Sequence, residues 1–106
     1  MPKYLVEACY TAEGFKNLQK DRAEGRVAAI KTALQSVGGK LETVYWTLGE
    51  RDVILIADCP DVAAIAAISA AAIASGMVRT KTTQLLTPAE VDEALQKAVK
   101  YRAPGQ

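Results

Sequence analysis

The amino-acid sequence predicts an α+β fold. Its expected core is a four-stranded antiparallel sheet with helices on one face, in the order strand, helix, strand, strand, helix, strand, followed by a further helix. Three observations predict it. Leu41 to Asp58 reads as two strands joined by a tight turn and holds many of the large side chains. Apolar residues at helical spacing fill the stretches on either side of that hairpin. Each helical stretch is flanked by β-favouring runs, so the chain divides into two βαβ halves.

The hairpin comes first because it carries the core. Leu41, Val44, Tyr45, Trp46 and Leu48 form one run, Gly49-Glu50-Arg51 turns the chain, and Val53, Ile54, Leu55 and Ile56 form the other. Gly49 is expected to supply the positive φ of a tight turn. Strand side chains alternate, so Ile54 and Ile56 face one way and Val53 and Leu55 the other, and Tyr45 and Trp46 oppose one another. A strand with one wet face alternates apolar with polar. These do not, so both faces of the sheet are expected to be covered. The chain's own helices cover one face, and a second subunit related by a two-fold axis is the simplest cover for the other.

The remaining elements follow in order. Lys3 to Tyr10 is the first strand, and Thr11 caps the helix after it. Phe15 and Leu18 form one stripe; Val27, Ile30, Leu34 and Val37 form another, out of phase by roughly a quarter turn, which predicts a break within Asp21 to Gly25. Gly38-Gly39 ends that helix. Asp61 caps a second helix over Val62 to Ala74, with Val62, Ile65, Ile68 and Ile73 expected inward. Its other face, Ala63, Ala67, Ala70, Ala71 and Ala74, carries no charge and admits the close approach of another backbone. Met77 to Leu86 is the fourth strand, with Val78, Thr80 and Thr82 on one face and Arg79, Lys81 and Thr83 on the other. Thr87-Pro88-Ala89-Glu90 begins a last helix with a capping box. Val91, Ala94, Leu95, Ala98 and Val99 form its expected inner stripe, and Lys97, Lys100 and Arg102 its basic end. The whole is one domain: a core over 3–86, a C-terminal helix over about 88–101 and a tail over 102–106.

Composition narrows function mainly by exclusion. Thirteen basic and twelve acidic residues nearly cancel, whereas nucleic acid or an anionic membrane calls for a basic excess. Neither is expected as a partner. The chain has no histidine and two cysteines, Cys9 and Cys59, far apart and without a CxxC spacing. That pattern predicts reduced thiols in a cytoplasmic protein, with no metal site and no cofactor. The start of the chain alternates like a strand, and the uncharged stretch Val62 to Val78 is too rich in alanine, serine and glycine for a membrane span. An iron–sulfur cluster needs four close thiolates, and phosphate-cradling glycine motifs are absent.

Three segments carry a resemblance: Thr11 to Asn17 (TAEGFKN), Tyr45 to Asp52 (YWTLGERD) and Met77 to Thr82 (MVRTKT). Over about residues 3–95 the chain resembles the GYD-domain family of small bacterial and archaeal proteins. The family is named for a Gly-Tyr-Asp turn; here Glu50 follows the glycine, Arg51 stands in place of the tyrosine, and Asp52 matches. The resemblance implies a ferredoxin-like chain of the dimeric α/β-barrel type and specifies no chemistry.

One polar set remains as a candidate ligand or interface pocket: Arg79 and Lys81 on one strand face, with Glu7, Tyr45, Asp52 and Trp46 as neighbours. Arginine there can fork onto a carboxylate or phosphate, Tyr45 can donate a hydrogen bond, and Trp46 can form an apolar wall. The plainer reading makes Arg79 an interface ion pair and the aromatics core. Two functions are therefore expected. The first is a homo-oligomeric, non-catalytic or regulatory module, associating through the open sheet face and the Ala63-Ala67-Ala70-Ala74 helix face and binding a small anionic or aromatic ligand. The second is a small cofactor-free enzyme, oxygenase- or isomerase-like, with a pocket between sheet and helices. There Arg79 would position substrate and Tyr45 or Asp52 would move a proton.

Overall fold

The structure is a computed structural model describing residues 1–106. Seven elements follow one another: β1 (Lys3–Tyr10), α1 (Ala12–Ser36), β2 (Lys40–Trp46), β3 (Val53–Asp58), α2 (Val62–Ala74), β4 (Val78–Leu85) and α3 (Pro88–Leu95). The strands form one open antiparallel sheet in the order β2-β3-β1-β4. Register assigns the faces. Val6 lies opposite Leu55 and Thr82, and Leu55 opposite Val44, so these side chains share one face. Glu7 lies opposite Ile54 and Lys81, and Ile54 opposite Tyr45, so these share the other. A bulge in β2 between Leu41 and Thr43 leaves the register of both flanks compatible with this division.

α1 and α2 cover the first face. The core there is Tyr4, Val6, Leu34, Ala57, Cys59, Ala64 and Ile65, with Ile30, Leu41 and Ile68 packed on its margin. Thr11 joins strand to helix: its side chain accepts the Gly14 N–H at 3.1 Å, and its own N–H donates to the Met77 carbonyl at 2.9 Å. The second bond ties the start of α1 to the chain entering β4. α1 breaks within the expected segment, at Arg22 (φ 64°, ψ 164°). Gly38 ends it with φ 79°. Asp61 caps α2 by accepting the Ala64 N–H at 2.9 Å.

Three expectations are corrected. First, the hairpin connection is not tight. β2 stops at Trp46 and β3 starts at Val53, Gly49 does not take positive φ, and Leu48 is fully exposed. Anchoring replaces turn geometry: the Thr47 N–H donates to the Asp52 carbonyl at 2.8 Å, and the Asp52 N–H donates to the Ala8 carbonyl at 2.9 Å. Second, α2 is rotated. Ala64 and Ile65 are buried, whereas Val62 and Ile73 are 62% and 50% exposed. At about 100° per residue, Val62 and Ile73 fall roughly a third of a turn from the centre of the Ala64-Ile65-Ile68-Ala72 arc. Ala63, Ala67, Ala70, Ala71 and Ala74 are all exposed, Ala71 bordering the space between α2 and α1. Third, the last helix ends at Leu95, so Lys97, Lys100 and Arg102 lie beyond it and form no basic last turn. Its expected inner stripe is not covered: every residue of α3 is exposed, Leu95 by 77%. The segment projects as an arm. The molecule measures 57 × 32 × 23 Å with a radius of gyration of 16.9 Å, against about 13 Å for a compact chain of this length.

Candidate functional site

The outer face of the sheet gathers most of the polar set. Tyr45, Ile54, Glu7 and Lys81 form one row across β2, β3, β1 and β4. Arg79 sits two residues along β4, opposite Cys9. Trp46 pairs with Val53 and so lies on the helix-covered face, away from the others. Asp52 ends the set: its carboxylate accepts the Tyr10 N–H at 2.8 Å. That bond extends the β1–β3 pairing and commits the group to holding the connection. Sheet geometry spreads Tyr45 and Lys81 over three inter-strand steps, roughly 14 Å. The set is a surface, not a pocket.

Sequence reading missed Arg51 as a member of this surface. Its Nε donates to Glu7 Oε2 at 3.3 Å, and its Nη1 lies 3.8 Å from Cys9 Sγ. These contacts, that with Cys9 first, hold the Arg51 guanidinium more firmly protonated than an ordinary arginine. The Cys9 thiol also donates to the Glu50 carbonyl at 3.3 Å. The position that departs from the Gly-Tyr-Asp pattern is therefore the one that reaches back onto β1. At the far end of the face Lys3 bridges Glu42 and Asp58, which raise its pKa. Arg79 and Lys81 have no ion-pair partner within the chain.

Across the sheet lies a cavity of about 650 Å³, walled by α1, α2 and the strands and open to solvent on one side. Its walls are mainly aliphatic, including Val6, Leu55, Ile30, Ile65 and Ile68. Neither Arg79, Lys81, Tyr45 nor Glu7 lines it. The cavity exists because α1 and α2 stand apart, and because Ala29, Ala33, Ala71 and Ala72 present only methyl groups to the space. Arg26 also lines it, with a buried Nε that has no hydrogen-bond partner. A readable signal existed for this residue: Arg26 stands four residues before Ile30 and eight before Leu34, a cation within the apolar stripe. No group of three or more histidine, cysteine, aspartate or glutamate side chains is placed to hold a metal ion.

Fold and site together define a class: a small α+β domain with one helix-covered and one uncovered sheet face, and an apolar cavity under the helices. Within that class the chain belongs to the GYD-domain family, whose model matches residues 4–95. No curated protein and no solved structure matches the chain. No helix is long and apolar enough to cross a membrane.

Proposed function

We propose that this GYD-domain protein is a homo-oligomeric, non-catalytic module, a ferredoxin-like chain that pairs sheet to sheet as in dimeric α/β barrels. The observation that carries the reading is uncovered surface. The chain exposes 7501 Å², whereas a compact monomer of its mass exposes roughly 5,700 Å². The surplus, roughly 1,800 Å², exceeds the 800 Å² or so that each partner contributes to a stable interface. Part of it lies in the arm, where Leu86, Val91, Leu95, Val99 and Tyr101 are all exposed. An isolated two-turn helix is unstable in water, so a well-capped α3 without packing calls for a partner surface. A two-fold pairing of outer faces gives each arm one. The unpaired cations Arg79 and Lys81 then meet acidic groups of the second copy, or a small anion held between the sheets. The uncharged Ala63-Ala67-Ala70-Ala74 face offers a further contact for larger assemblies.

The enzyme reading needed a pocket between sheet and helices that Arg79 reaches; a cavity lies between sheet and helices, but Arg79 does not line it. The cavity found lies on the opposite side of the sheet, which favours assembly as the role of the outer face. Light scattering and sedimentation on the purified chain test the proposal. A mass of at least twice 11.3 kDa is expected. A stable monomer at high concentration overturns it.

A further inference from the structure

We propose that the cavity under the helices binds an amphiphilic acid, with an aliphatic chain inside and a single carboxylate on Arg26. At about 650 Å³ it lies within the range of small-molecule sites, about 300–1,000 Å³. Its lining favours a flexible chain over a planar ring. Branched aliphatics and alanine methyls predominate, Met77 adds an adaptable thioether, and Tyr10 is the only aromatic. Displacing water from such apolar walls favours an apolar guest.

The charge of the ligand follows from which polar groups on the wall remain free. The Asn17 amide already donates to the Glu13 carbonyl at 3.2 Å and to Met77 Sδ at 3.4 Å. The Ser75 hydroxyl donates to the Ala72 carbonyl and accepts the Met77 N–H. Asp21 is exposed and solvated at the rim. Tyr10 and Thr80 add only neutral hydroxyls to the wall, and Arg26 differs from all of these because it is cationic and its Nε is buried and unsatisfied. A buried donor of an ionised group is costly without an acceptor, and a guanidinium is shaped for a carboxylate fork. One unpaired cation calls for one negative charge. Every wall residue comes from a single chain and the site lies across the sheet from Arg79, so the inference stands apart from the assembly proposal.

Titration calorimetry of the full-length protein with decanoate and with decanol tests it, with circular dichroism as the check on folding. Decanoate is expected to bind once per chain. Arg26→Gln is expected to weaken decanoate by about tenfold or more, the loss of one charge-assisted bond, while shifting decanol by less than about twofold. Ala72→Phe fills the space and is expected to abolish binding of both; Ala33→Met serves the same purpose if that variant fails to fold. The proposal is overturned if the folded wild type does not bind decanoate, as when a second copy's arm fills the cavity. Equal losses of decanoate and decanol in Arg26→Gln overturn it too, as does unchanged binding in a folded, cavity-filled variant.

Discussion

Gly14 has the least room of the chain's glycines. A Cβ built there would stand 2.1 Å from the Met77 carbonyl oxygen, the same oxygen that accepts the Thr11 N–H. Backbone is on the far side of the contact, so no side chain can swing away. Gly14→Ala is expected to cost about 1–3 kcal/mol, or more if the α1–β4 junction opens; urea unfolding monitored by Trp46 fluorescence measures it. The two thiols differ equally sharply. Cys59 is fully buried, and burial first, with Asp58 and Asp61 second, raises its pKa. Cys9 is only partly covered, at the edge of the Arg51 cluster. A thiol reagent at neutral pH should therefore leave Cys59 unlabelled until denaturant is added, and should label Cys9 in chains dissociated by dilution. Rapid labelling of both without denaturant would contradict the described packing. The separation of the two cysteines in sequence already argued against a metal or disulfide pair. Which of them is sealed depended on the register that brings Cys59 beneath Leu34.

At the level of elements, local signals were strongest where a cap or a change of phase was written into a few neighbouring residues. Thr11, Asp61 and Thr87 all cap as their sequence context implies. The α1 break lies in the predicted segment, yet Arg22 rather than a glycine takes the left-handed φ. A non-glycine there carries strain of about 1–3 kcal/mol. Arg22→Gly is expected to leave the melting temperature unchanged or raise it, and a clear drop would mean that Arg22 earns its place through contacts. The α3 cap has a pH signature. The Glu90 carboxylate accepts the Thr87 N–H at 2.9 Å, and that bond, with the Thr87 hydroxyl second, lowers its pKa below 4.5. A depressed folded pKa contributes stability above the unfolded value and loses it as pH falls through the folded one. Resonances of α3 should therefore begin to lose helical shifts only below pH 4.5. Glu90→Gln should flatten that acid response. The hairpin connection was harder to read, because its shape comes from Asp52 reaching Tyr10 and Ala8 on β1, residues distant in sequence.

For the molecule as a whole, the question is whether a second copy covers the outer sheet face and the arm. Leu95→Asp discriminates. In a monomer this side chain is already 77% exposed, so the substitution should change the melting temperature of an isolated chain very little. In a pair that docks the arm, it should raise the dissociation constant by about a hundredfold, given roughly 2–3 kcal/mol for a buried leucine. Sedimentation across a concentration series reads the difference. The strands and the helices were determined by the sequence alone, because alternation, caps and phase are local properties of the chain. It also placed Glu7, Tyr45, Arg79 and Lys81 among the candidates. Alternation already set Tyr45 against Trp46 and Arg79 beside Lys81; only the tertiary structure decided that Tyr45 rather than Trp46 shares a face with Glu7, Arg79 and Lys81, because strand register depends on pairings between distant residues. It alone turned α2, freed the arm and opened the cavity beside Arg26, because the separation of two helices depends on side chains meeting across space.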